Sequence, residues 1–255
     1  MQKLRILSSS VLAVAVVAVV AGCAGATPEV DAAAPPTPIP TTSATTIEAA
    51  ASCLSIDTTA PTVDGVTLGT CFADALHAVG SMKATNETGD RRQQADIRLR
   101  PDIAIHTTTT DSDGTSEVIF VDDVAYEDDG SGWIRGDVSS EDDDEMILGG
   151  VGELLVAVFA GDVLKQSIAA CPVWNIEPGS TSITLPDSRV VETREFACAA
   201  PFESFGTTVS PMSLWIDEDW TPYGTQSTVT GFGQVIDGAQ YYFDHGVEVD
   251  IVAPM

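Results

Sequence analysis

The order in which hydrophobic periodicities succeed one another constrains this chain most: a short helical period, a run of alternating segments, a longer helical period, then alternation again. Thr70 reads as an N-cap, and Phe72, Ala75, Leu76 and Val79 follow at helical spacing, which predicts a helix over residues 71–82. Alternation then takes over. Ile97 and Leu99 interleave with Asp96, Arg98 and Arg100; Ile103 and Ile105 follow Pro101; Val118 and Phe120 follow the Asp113-Gly114 turn. Asp122-Asp123 and Asp129-Gly130 mark further turns before a strand carrying Trp133 and Ile134.

At Ser139-Ser140-Glu141-Asp142-Asp143-Asp144-Glu145 the pattern changes. A serine cap followed by acids suits a helix start, where the first turn carries partial positive charge. Calcium is the rival reading of this block, but no D-x-[DN]-x-[DN]-G loop with a twelfth-position glutamate is present. Met146, Ile147, Leu154, Leu155, Val158, Phe159, Leu164 and Ile168 predict one or two amphipathic helices reaching residue 171, broken or loosened near Gly149, Gly150 and Gly152. Short β-rich segments return at residues 182–185, 190–198, 212–216, 225–230, 239–243 and 247–252. Residues 52–255 therefore read as a single α+β domain, a large antiparallel sheet with helices on one face.

The N-terminus supplies an address. Lys3 and Arg5 precede an apolar run ending in Val20-Ala21-Gly22-Cys23, the pattern of a bacterial lipobox. Residues 1–22 read as a signal peptide, and Cys23 as the thiol that takes a diacylglyceryl group before cleavage. An ordinary secretory signal or a retained helix fits less well, because the uninterrupted apolar run falls short of the roughly 20 residues a span needs. Residues 23–51, rich in Ala, Pro and Thr, read as an extended tether. The protein is thus expected outside the cytoplasm, held to the membrane by its N-terminal lipid.

Charge excludes one class of partner. Loss of residues 1–22 removes two basic residues and no acid, taking the formal charge from -27 to about -29. Such a chain repels nucleic acid, and no polybasic stripe offsets this. Cys53, Cys71, Cys171 and Cys198 make an even set for an oxidising compartment, and spacing favours the pairs Cys53 with Cys71 and Cys171 with Cys198. Zinc is a poor rival: there is no Cys-x-x-Cys, and His77, His106 and His245 stand apart. No G-x-S-x-G elbow occurs, and no S-x-x-K pairs a serine with Lys83 or Lys165, so the sequence offers no catalytic residue, metal site or cofactor.

A family likeness rests on two stretches. Ser116-Glu117-Val118-Ile119-Phe120-Val121-Asp122-Asp123-Val124-Ala125-Tyr126 with Gly132-Trp133-Ile134 resembles a strand pair in exported actinobacterial lipoproteins of the LppX and LprG type. Leu214-Trp215-Ile216-Asp217-Glu218, with the segment from Tyr241 to Pro254, resembles their closing strands. The resemblance implies the LolA-like half-barrel, a curved sheet with helices on its concave face that holds acyl chains. It implies that Met146, Leu148, Val151, Leu155, Val158 and Phe159, with Trp133, Phe120 and Leu99 from the sheet, contact an apolar ligand. Two function classes follow: a non-enzymatic carrier of a lipid or other hydrophobe, or a display module with a filled core that presents the acids of residues 127–129 and 141–145 to a basic partner or to cations. Cavity volume separates them.

Overall fold

The computed structural model describes residues 48–231 and 233–255. The signal segment, Cys23 and most of the tether lie outside them. A 3-10 turn at Cys53–Ser55 and strand β1 (Thr62–Asp64) lead into helix α1 (Gly65–Val79). This helix starts earlier than Thr70 suggests, because Asp64 caps it, accepting from the Thr67 amide at 2.9 Å and from Thr67 Oγ1 at 2.6 Å. Thr70 turns its hydroxyl back to the Val66 carbonyl. Gly80, at φ 81°, ends the helix, so Met82 belongs to strand β2 (Ser81–Thr88) rather than to α1.

Strands β2, β3 (Arg91–Arg98), β4 (Ala104–Asp111), β5 (Gly114–Val121), β6 (Val124–Asp128) and β7 (Ile134–Arg135) form a consecutive antiparallel meander. Trp133 stands just outside β7. Helices α2 (Asp143–Phe159) and α3 (Asp162–Ala169) follow. Then come β8 (Val173–Ile176), β9 (Thr181–Thr184), β10 (Val190–Cys198), β11 (Phe202–Ser204), β12 (Thr207–Ile216), β13 (Pro222–Gly231) and β14 (Gln234–Phe243). Spatial order is β1-β8-β10-β12-β13-β14-β2-β3-β4-β5-β6-β7, with β9 beside β10 and β11 beside β12. The class is α+β, an open antiparallel half-barrel with helices, as the sequence predicts.

Three expectations need correction. Residues 247–252 form no strand. Asp244 and Gly246 adopt positive φ, the Gly246 amide bonds the Ser81 carbonyl, and the tail crosses the outer face, where Ile251 packs with Ala104, Ile119 and Val121. The glycines at 149, 150 and 152 do not break α2; the break falls at Ala160 and Gly161, the latter at φ 94°. The cap of α2 is not a serine but Asp142, which accepts from the Asp144 and Glu145 amides, while Ser140 accepts from the Asp142 amide and donates to Glu145 Oε2.

Alternation in the meander puts Met82, Ile97, Ile105, Phe120 and Ala125 in one row across five strands, all buried and all facing the helices. Leu68, Phe72 and Leu76 of α1, Leu148, Val151 and Leu155 of α2, and Leu164 and Ile168 of α3 belong to the same core. α1 and α3 cross closely because Gly69 has no side chain: a Cβ there would meet the Lys165 carbonyl oxygen at 2.7 Å. Ala49 and Ala50 already pack against this core, so the fold takes up the last residues of the tether segment. The outer face is covered in part by the C-terminal tail and, elsewhere, by Ile183, Leu185 and Trp215. Disulfides join Cys53 to Cys71 and Cys171 to Cys198, closing 18- and 27-residue separations, each worth about 3 kcal/mol by loop entropy.

Candidate functional site

α2 is the element whose position decides whether this fold has an interior site. Its inward residues Leu148, Val151, Leu155 and Val158 are buried, and Gly152 lets it lie against the sheet, where a Cβ would sit 3.4 Å from both Ala125 Cβ and Phe120 Cε2. Gly149 comes closer still to the segment before it: a Cβ there would meet the Val138 amide nitrogen at 2.5 Å. The Asp137 amide also bonds the Glu145 carbonyl. On its other side α2 exposes Met146, Ile147 and Leu154. It is therefore apolar on both faces, unlike an ordinary surface helix with one apolar stripe.

The structure brings together most of the residues named from sequence. Leu99, Phe120, Leu148, Val151 and Leu155 share one buried cluster, with Phe159 packed against it. Val158 meets Leu99 and Phe159 around a void of about 20 Å3 that Met82, Gln240 and Tyr242 also border. Trp133 and Met146 lie apart from this group, 37% and 42% exposed. Ile134 packs on the core in the place sequence alone gives to its neighbour. This void under Val158 and Phe159, among the described residues, holds little more than one water.

Electrostatics single out residues the sequence reading passed over. Glu127 lies two residues from Ala125 on the inward face of β6 and is 4% exposed. Burial, reinforced by the charges of Asp129 and Asp144, pushes its carboxyl up to about 7. It is thus turned inward and not displayed, which corrects the expected acidic loop at 127–129. Tyr242 is fully enclosed, and burial raises its phenol above the ordinary range. His77 Nε2, beside the void, is buried with no hydrogen-bond partner among the described residues. The alternation of Ala125 and Glu127 about the outward Tyr126 was a legible signal for Glu127; nothing in the sequence marked His77.

Elsewhere an open cleft of about 970 Å3 lies beneath the β9–β10 hairpin, bordered by Glu177, Glu192, Arg194, Asp217, Glu218 and Tyr223. Asp217 accepts from the Thr221 and Asp219 amides, while burial pushes its carboxyl up. His106 lies 3.2 Å from Glu117 across β4 and β5 at the outer surface. Among the described residues no group of three or more His, Cys, Asp or Glu side chains is placed to hold a metal ion. No single helix among them is long and apolar enough to cross a membrane; α2 and α3 together have the length and composition but bend by 65°.

No protein-family model matches the sequence, and no curated protein matches it. Among solved structures the chain is similar to LprF from Mycobacterium bovis, of the LppX/LprG family, at 12% identity and a TM-score of 0.48, covering 74% of this chain and 96% of that one. It is more distantly similar to the hypothetical protein CT021 from Chlamydia trachomatis, at 8% identity and a TM-score of 0.35, covering 76% of this chain and 98% of that one. The fold class rests on the strand pairing and burial described above.

Proposed function

We propose that this protein is a non-enzymatic lipoprotein of the cell envelope, beginning at Cys23 once processed, whose single domain carries a lipid or other hydrophobe between α2 and the sheet. The observation that carries this reading is that α2 is apolar on both faces. A helix of this kind loses little when its inner face exchanges sheet side chains for an acyl chain, because one apolar surface replaces another. The closed arrangement is then the ligand-free form, and uptake moves α2 and α3 about Gly161. The small void favours a second reading, the filled display module, in which Asp128, Asp129 and residues 141–144 face a basic partner or cations.

Mass spectrometry of organic extracts from protein purified from its native host distinguishes the two. The carrier reading expects a stoichiometric lipid, and expects Leu155→Gln to reduce it at modest cost in folding, since a displaceable wall tolerates a polar group. No lipid in the wild type, with a cost of several kcal/mol for Leu155→Gln, would establish a close-packed core and the display module.

A further inference from the structure

The cleft beneath the β9–β10 hairpin lies apart from the helices, since none of the residues bordering it belongs to α1, α2 or α3. It opens where β10 changes neighbours. Val190 to Thr193 pair with β9, whereas β12 joins β10 only from Arg194, opposite Ile216, and turns away at Asp217. On that side Val190 to Thr193 have no strand partner among the described residues, and Val191, Glu192 and Thr193 border the cleft. Charge explains the open edge. Continuing the β10–β12 register would set Glu192 opposite Glu218, and like charges directly opposite destabilise a strand pair. Asp217 holds the turn, accepting from the Asp219 and Thr221 amides. Glu177, Glu192, Glu218 and Asp219 are exposed and form no salt bridge among the described residues, and Arg194 is the single base on the border.

We propose that this cleft docks an extended lysine- or arginine-rich peptide segment of a partner protein, added as a short strand to the open edge of β10 with its cations between Glu192 and Glu218. The inference does not depend on what α2 covers. An open edge supplies backbone pairing to any strand, and side-chain charge selects among strands. Tyr223 adds an aromatic ring at the border, to which a guanidinium or ammonium is attracted. Charge complementarity decides the occupant. A second copy fits poorly, with 38 acidic against 11 basic residues, and residues 24–47 of this chain contain neither lysine nor arginine. A divalent cation fits poorly too, because among the described residues no group of three or more His, Cys, Asp or Glu side chains is placed to hold one. The acids of residues 141–144 lie at the start of α2, so this site is distinct from the display surface considered above.

Fluorescence anisotropy of labelled octapeptides, alternating lysine with threonine or glutamate with threonine, tests this on the full mature chain at low salt. The lysine peptide should bind and the glutamate peptide should not. Joint Glu218→Gln and Asp219→Asn exchange should weaken binding about tenfold, Arg194→Gln should strengthen it about threefold, and Asp90→Asn, an exposed acid in the β2–β3 turn, should leave it unchanged. Methylating alternate backbone amides of the lysine peptide should weaken binding about tenfold with its charge intact. Glu177→Gln replaces the turn exchange if that variant does not fold, with the same direction expected. Full affinity of the methylated peptide, or its displacement by spermine at equal charge, would overturn strand addition and reduce the cleft to a patch of charge. Loss of binding on Glu141→Gln with Asp143→Asn, but not on the cleft exchanges, would overturn the site itself. None of these outcomes bears on lipid found beneath α2, so failure here and failure of the carrier reading are read separately.

Discussion

Two buried titratable side chains set opposing pH dependences on the fold. Glu127 is held up to about 7, so between about 4.5 and 7 the folded state keeps a proton that the unfolded chain has lost, and stability falls as pH rises through that window. His245 is the reverse. Burial, against Tyr223 at a ring separation of 5.0 Å, pushes its imidazole down to about 4, so between about 4 and 6.5 the unfolded chain binds the extra proton and stability rises with pH. Where the windows overlap the two slopes offset each other. Glu127→Gln should therefore uncover a rise in stability from pH 4.5 to 6.5, and should gain on the order of 2 kcal/mol over wild type at pH 8. Urea denaturation at several pH values checks it; parallel profiles for variant and wild type would show that Glu127 is not held protonated by the fold.

At the scale of elements, two glycines in one helix should behave differently. Gly150 faces open space, and its replacement by Ala should stabilise α2 by about 1 kcal/mol through propensity alone. Gly149→Ala should instead destabilise by about 1–3 kcal/mol, because its Cβ would strike the backbone of Asp137 and Val138. Thermal denaturation of the two variants measures the contrast, and equal effects would mean that α2 does not rest on this segment. The same glycines show where sequence reading stops. Periodicity located α2, but a glycine that weakens a helix and one that lets another backbone approach look alike without the neighbour. Alternation at residues 247–252 was real too, yet the turn at Asp244 and Gly246 sends that segment over the outer face, where alternate residues still bury Ile251. Strands β1, β8 and β11 were missed because three or four residues carry too little alternation to register, and β2 because only Met82 and Ala84 of its inward residues are apolar. Of the candidate site, the inward stripe of α2 was legible from spacing, whereas the exposure of Trp133 and Met146 depends on neighbours distant in sequence.

For the whole molecule, the described fold and the N-terminal address must be compatible. Cys23→Ser should abolish partitioning into a detergent phase and leave the protein unprocessed or in the medium, while the far-ultraviolet circular dichroism of the released domain stays that of the wild type. Retained partitioning would remove the lipid anchor from the account. Ala49 and Ala50 already pack against the core, so on the proposed reading loss of Cys23 should leave the folded domain unchanged.

The pairing of β14 with β2, Gly238 opposite Thr88 through Phe243 opposite Lys83, joins the last strand of the chain to one of the first. A chain that emerges from its N-terminus must therefore expose β2 and its inward residues until nearly the whole sequence is available. During that interval β2 and β13 are open edges, and every partly folded copy nearby presents a matching pair. Folding of this protein thus favours well-spaced chains, because crowding would let the β13–β14 hairpin of one molecule pair with the β2 edge of another.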